Sequence, residues 1–511
     1  MFSLFWLIIS HCRTFLQKLT NYQFFAFLVG FYLLTRLNTW FYPIDNDHWI
    51  FWTVAQDWVT GGKLYLTTWD HKPPMIFLFN ALLYLLGGDN LWIHRLVITI
   101  FSFLGVVLFY QLLQFLFSDD SQLETNLRVR LSVIIYIFWI NLSHISAGGN
   151  NNENLGIIFL LISYLAYFYF WKSEKWFYLL ISGLSVSVLF FLKPNFILFF
   201  VPVLIDLLFF KVKQMSFIKL TKILFLLGLP ILMHICFWLI YFYLNDSLYD
   251  FFIASFLFNS KYLATGWLGK VSGQLIFIFI IFPIILSLLV AAFYLFRKQT
   301  LFSQTELSNP PFIVSWLIIS VIYLVMLGTF YPYYYLMIVP ILAVLTGFSL
   351  SKMVQPTCFC FDKMILNLIT VSFIGSFIFS WKQPYNFFFG QVNNDFQEKL
   401  LVAEYIKANT AEEDAIIAYV YGSTFYYLTE RKPGVRYVSA SHPLLDYREK
   451  FGFQFNQKFI EDAEKNQPKY LIVANFDKLY STNYELMDYF NQHYFLEKTF
   501  TNYSVFKRSS L

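Results

Sequence analysis

About eleven times along its length this chain runs through roughly 20 residues that are almost wholly apolar, a length that spans the roughly 30 Å hydrocarbon core of a bilayer as a helix. The runs lie near 23–42, 91–117, 131–147, 154–171, 176–192, 195–210, 220–244, 272–296, 312–329, 333–351 and 363–381. In lipid every backbone polar group must find its partner inside the protein, so each run is expected to be a transmembrane helix. Composition agrees: 13% of residues are charged, about half the roughly 25% of a soluble domain. Aromatic residues make up 22% of the chain, more than a soluble core buries. The net charge of +5 is spread through short loops and forms no basic block, which argues against a nucleic-acid partner.

Two shorter apolar pieces, 48–60 and 73–87, are too short or too polar to cross and are expected to lie as helices at the interface. Residues 1–17 are a third candidate of this kind. The N-terminus lacks a basic n-region and a small-residue cleavage site, so no cleaved signal peptide is expected. Cys12, Cys236, Cys358 and Cys360 are scattered and fit neither a disulfide framework nor a zinc set.

Lysine and arginine set the orientation. With the N-terminus in the cytoplasm, fourteen cations fall inside and seven outside: Arg36, Lys63, Lys72, Arg95, Lys193, Lys261 and Lys270. Arg36, Lys72, Arg95 and Lys193 then sit at or within the membrane edge and need a reason to be there. After about residue 383 the composition changes. Residues 402–419 read as an amphipathic helix followed by a buried strand, and 470–474 as a second strand. The expected fold class is an all-α polytopic membrane protein, with about 11 transmembrane helices plus interfacial helices, in residues 1–383. A small C-terminal extracytoplasmic α/β domain follows in 384–511. A multi-pass protein of the plasma (inner) membrane is implied.

The first outer loop, 43–74, is the unusual segment. Asp45 and Asp47 follow the first apolar run, and Asp70-His71-Lys72-Pro73-Pro74 closes the loop. Ionisable groups at a membrane boundary are costly and are functional candidates. Asp47 could instead cap the helix beginning at His48, but capping does not account for two acids and a titratable turn. Glu153 opens an apolar helix within 148–156, where charge at a helix N-terminus is a competing explanation. Lys193 stands in a two-residue turn, where it could snorkel to headgroups or hold a phosphate. Arg95 lies one turn into the second run, and its planar fork suits a phosphate. A leaving phosphate needs cations and a hydroxyl nucleophile needs a base, so the set fits transfer from a lipid phosphate to a hydroxyl.

At this point the chain resembles the superfamily of dolichyl-phosphate-mannose protein mannosyltransferases and bacterial aminoarabinose lipid A transferases, which share the GT-C membrane fold. The resemblance rests on Asp47, on AQDWVTGGKLY (55–65) and WDHKPP (69–74), and on HRL (94–96). NNNEN (150–154), LKPN (192–195), YPYYYLMIVP (331–340) and the tail 402–433 continue it. It implies a glycosyltransferase using a polyprenyl-phosphate-sugar donor and a hydroxyl acceptor on a lipid, glycan or protein. It implies Asp47 as general base or acceptor-orienting acid, Glu153 as a second loop acid, and Lys72 on the carrier phosphate with Arg95 and Lys193 helping. Asp70 and His71, beside Lys72, are taken on the substrate side. Two departures stand: His48 replaces the usual acid after Asp47, leaving Asp45 as a competing candidate, and Tyr333 replaces a His often found near YPYYYL. No cofactor is firm. A divalent metal on His48, His71, Asp47 and Asp70 is conceivable, but no ligand spacing compels it. A transporter or lipid flippase would share the spans, although no paired broken segments recur in two halves. A non-catalytic subunit of envelope-polysaccharide assembly is the third reading.

Overall fold

The computed structural model describes residues 13–41, 46–117, 122–260, 308–327, 331–353, 373–382, 385–386, 394–419, 422–438, 454–474 and 484–509. Asp45, the run 272–296, residues 363–372 of the last run and residues 1–12 lie outside them. The chain divides into two compact units. The first takes 1–43, 95–236 and 266–385, and the second takes 44–94, 237–265 and 386–511.

The first unit is helical. Helix α1 (Asn21–Trp40) starts at a reciprocal cap, in which the Gln23 N–H donates to Thr20 Oγ1 at 3.2 Å and the Thr20 N–H to Gln23 Oε1 at 2.9 Å. Two further helices, α2 (Asn46–Val59) and α3 (Pro74–Gly87), belong to the second unit. Then come α4 (Leu91–Leu116), α5 (Gln122–Ile140), α6 (Asn152–Ser173), α7 (Phe177–Leu192), α8 (Pro194–Lys211) and α9 (Phe217–Leu244). After α10 (Leu248–Phe258), a second-unit helix, the first unit resumes with α11 (Pro310–Met326) and α12 (Pro332–Met353). Among the described residues α4, α6, α8, α9 and α12 are long and apolar enough to cross a membrane.

These helices approach through small residues, as expected where lipid supplies no hydrophobic drive between them. Ser163 of α6 and Ser182 of α7 share a hydrogen bond at 3.0 Å. Gly347 of α12 lies against α5, where a Cβ would overlap the Ser132 side chain and stand 2.7 Å from its backbone. The run 131–147 differs from expectation. Its helix begins earlier, at Gln122, and ends at Ile140. The added turns bury Arg128 over the Phe348 ring at 5.2 Å, and the end comes where Asn141 turns its amide to Thr35 Oγ1 at 3.0 Å. A short helix, Ser143–Ser146, then leads into a turn in which Ala147, Gly148 and Gly149 all have positive φ.

In the second unit α2 and α3 have 14 residues each, about 21 Å at 1.5 Å per residue and too short to cross. The tail supplies α13 (Asn394–Asn409), β1 (Ala415–Tyr419), α14 (Ser423–Thr429), β2 (Lys432–Pro433), α15 (Phe455–Asn466), β3 (Tyr470–Ala474), α16 (Tyr484–His493), β4 (Tyr494–Thr499) and β5 (Tyr503–Arg508). The sheet order is β2-β1-β3-β5-β4. Both β1 contacts are parallel, whereas β3–β5 and β4–β5 are antiparallel. All five residues of β3 are buried, as in a strand covered on both faces. The first loop is part of this unit. Trp69 N–H donates to the Arg436 carbonyl at 2.7 Å, and Trp49 and Trp52 of α2 meet the Tyr427 ring of α14 at 4.4 and 5.1 Å.

Candidate functional site

In the second unit the turn after α2 is fixed from below. Gly62 packs against Asp57, and a Cβ there would overlap the Asp57 carboxylate unless that side chain shifted. Asp57 accepts from the Thr67 hydroxyl and, at 3.0 Å, from Thr68. Burial raises its pKa, partly offset by those two hydroxyls. Tyr65, buried and with φ of 71°, donates its hydroxyl to the Lys72 carbonyl at 2.8 Å. Asn259 donates its side-chain amide to the His71 carbonyl at 2.8 Å. The backbone of the DHKPP turn is therefore held at both residues.

That turn places Asp70 fully inside, with Oδ1 accepting from the Lys72 N–H at 3.1 Å and standing 3.8 Å from Lys72 Nζ. Its Oδ2 lies 3.6 Å from His71 Nδ1. Burial alone would push the Asp70 carboxyl up; the neighbouring Lys72 charge, His71 and the Lys72 N–H outweigh it and hold Asp70 well below the usual carboxylate range. Lys72 Nζ lies 3.5 Å from His71 Nε2 and 5.6 Å above the Phe51 ring, with its side chain 19% exposed. The charge is thus oriented from behind by an acid that is itself out of reach of solvent. Asp47 sits half-buried in the first turn of α2, where its charge complements the helix N-terminus. His48, the next residue, is buried, with its ring 5.5 Å from Trp49 and 6.2 Å from His94.

In the first unit Glu153 opens α6 behind an Asn151 cap whose side chain accepts from the Asn154 N–H at 2.9 Å. Glu153 is buried, and Lys193 Nζ meets its Oε1 at 2.8 Å. The same Nζ stands 3.5 Å from the centre of the Tyr334 ring. Carboxylate and ring face compensate a lysine that has lost most of its water. Tyr333, singled out in the sequence, stacks on Tyr331 at 5.5 Å and meets Tyr334 edge-on at 5.0 Å. The ring over Lys193 is Tyr334, which sequence reasoning passed over; its place in a run of tyrosines gave no sign of which one turns inward. Arg95 lies in the first turns of α4, and its carbonyl accepts from the Thr99 hydroxyl at 2.7 Å.

Residues 71–244 match the family model of dolichyl-phosphate-mannose-protein mannosyltransferases. No curated protein matches the sequence. The ArnT structure from Cupriavidus metallidurans bound to undecaprenyl phosphate superposes with a TM-score of 0.60 over 95% of this chain and 98% of that one, at 11% identity. The chain has an ArnT-like fold, and about a third of it matches the mannosyltransferase model. The oligosaccharyltransferase of Archaeoglobus fulgidus in complex with Zn and sulfate is similar with a TM-score of 0.52, over 88% of this chain and 67% of that one, at 13% identity.

The matched segment contains His71, Lys72, Arg95, Glu153 and Lys193. The metal set considered from the sequence does not assemble. Among the described residues no three His, Cys, Asp or Glu side chains are grouped to hold an ion, so His48, His71, Asp47 and Asp70 are not brought together as ligands.

Proposed function

We propose that the protein transfers a sugar from a polyprenyl-phosphate carrier to a hydroxyl of a lipid, glycan or protein acceptor, at the outer face of the plasma membrane. The observation that carries this reading is the family match over 71–244, the segment that holds Lys72, Arg95, Glu153 and Lys193. The bound undecaprenyl phosphate named for the ArnT structure supports a polyprenyl phosphate as the donor's carrier.

The transfer is one inverting displacement. The acceptor oxygen attacks the anomeric carbon as the bond from that carbon to the carrier phosphate oxygen breaks, and the hydroxyl proton passes to the Asp47 carboxylate. The bonding pair stays on the phosphate. Lys72 meets that developing charge, with Arg95 in a helping role. Asp70 and His71 set the Lys72 ammonium, and Glu153, the second loop acid, pairs with Lys193, a further helper on the phosphate. Asp45 remains a competing base and is assigned the lesser part. Purified protein given a polyprenyl-phosphate-linked sugar and a hydroxyl acceptor is expected to release one polyprenyl phosphate per sugar transferred. Movement of the intact lipid across the bilayer without release would favour a transporter instead.

The orientation belongs to the same proposal. The cation count puts the N-terminus in the cytoplasm and residues 384–511 outside. A C-terminal fusion to a reporter active only in the cytoplasm is expected to stay silent, and a bright signal would reverse the topology.

A further inference from the structure

Arg36 lies in α1, one of the helices built from the apolar runs, and is only 2% exposed. Its guanidinium donates from Nη1 to Asn141 Oδ1 at 3.2 Å and from Nε to Thr99 Oγ1 at 3.4 Å. Both acceptors are neutral, and both side chains make further hydrogen bonds. Thr99 also accepts from Trp40 Nε1 at 2.8 Å while donating to the Arg95 carbonyl, and the Asn141 amide is turned to Thr35. Among the described residues Arg36 has no carboxylate partner, and Nη2 has no acceptor. The second arginine, Arg95, is near enough for the two positive charges to repel. The fold nevertheless makes room for this group: at Gly149, where φ is 89°, a Cβ would stand 2.6 Å from Nη2.

A buried charge costs several kcal/mol when nothing opposite balances it. An arginine within a membrane helix is kept where it serves a ligand, a pathway or a partner charge. Neutral acceptors orient a guanidinium without neutralising it. They leave one edge of the fork for an anion, and a guanidinium edge matches two oxygens of a phosphate. Lys72 and Lys193, by contrast, each have a carboxylate within 4.0 Å in the protein itself. We infer that Arg36, oriented by Asn141 and Thr99, is an anion-binding residue for a lipid-borne phosphate. The inference rests on the proposed carrier chemistry for one of two sources of that phosphate, the polyprenyl carrier. The other is the headgroup of a bilayer phospholipid.

The test uses the full chain in maltoside detergent micelles, which carry no phosphate, comparing the parent with Arg36→Gln and Arg36→Lys. Undecaprenyl monophosphate, undecaprenol and phosphatidylglycerol are titrated, and binding is read from the rise in unfolding temperature. The parent is expected to be stabilised by a phosphate-bearing lipid and not by the alcohol. Arg36→Gln should bind that lipid at least about 10-fold more weakly, the scale of one lost charge-assisted hydrogen bond. Without ligand it should melt no lower than the parent, because an unbalanced charge has been removed. Arg36→Lys, which keeps the charge and loses the fork, should fall between them, and it carries the test if Arg36→Gln does not fold. Weakening toward undecaprenyl monophosphate alone assigns the site to the carrier, and toward phosphatidylglycerol alone to the bilayer. A variant that binds both phosphate lipids as the parent does overturns the inference and leaves Arg36 a staple between helices, with the carrier reading untouched. A parent stabilised by neither lipid contradicts the carrier reading as well.

Discussion

Asp47→Asn is expected to express and insert like the parent and to lose transfer by about 100- to 10,000-fold, the range supplied by a positioned general base. The substitution keeps the size and most of the hydrogen bonding and removes the basicity. Asp47 lies inside the first turn of α2, where a carboxylate contributes about 0.3–1 kcal/mol to the helix through its charge. Asparagine gives up that contribution while keeping the size of the side chain. The two roles therefore separate cleanly: a helix-end acid predicts a small fall in melting temperature with activity kept, and a base predicts the reverse. Asp45→Asn should have a milder effect. Turnover by Asp47→Asn near the parent rate would remove Asp47 from the chemistry and leave Asp45 or Glu153 as the candidates.

Removal of Lys72 is expected to raise the KM for the lipid-linked donor by roughly 10-fold or more and to lower kcat as well, with the acceptor KM little changed. The reason is that the carrier phosphate is charged in the ground state and more so in the transition state. Geometry complicates the simple variant. Asp70 is fully buried 3.8 Å from Lys72 Nζ, so Lys72→Ala leaves a carboxylate inside with less compensation and should also lose stability. The pair Asp70→Asn/Lys72→Ala corrects this, because it removes both charges. Restored stability with donor use still impaired would place Lys72 on the phosphate. Restored stability together with restored donor use would make the pair a structural clamp.

Much of the helical layout was legible because lipid leaves its mark on every residue of a span. The run 220–244 became Phe217–Leu244, and 154–171 became Asn152–Ser173, within a few residues at each end. The short helices α2 and α3 were legible for the same reason, since 14 residues cannot cross. In the tail, β1 and β3 announced themselves through unbroken apolar runs. The outer strand β4, whose pairing skips Glu497 between Leu496 and Lys498, did not. The candidate residues were legible as types and illegible as partnerships. Glu153 and Lys193 are 40 positions apart and meet at 2.8 Å; each was visible alone, and nothing in the local pattern paired them. Asp70, read as a substrate contact, is buried with Oδ1 3.8 Å from Lys72 Nζ, a partnership set by which way a turn folds. Arg36 was conspicuous only as a cation without a reason. Its orienting acceptor, Asn141, is 105 residues away at the broken end of α5, and that break is where an apolar run read as one helix comes apart.

The lipid that co-purifies with Asp47→Asn tests the central claim most directly. An enzyme stalled before proton removal should retain its donor, so mass spectrometry of the extracted lipids should find a polyprenyl phosphate carrying one sugar, enriched over the parent preparation. The same lipid should be depleted from the Asp70→Asn/Lys72→Ala preparation. An Asp47→Asn protein that is folded, inserted and free of any polyprenyl-phosphate sugar, or one that carries only the sugar-free polyprenyl phosphate at the parent's level, would contradict the account.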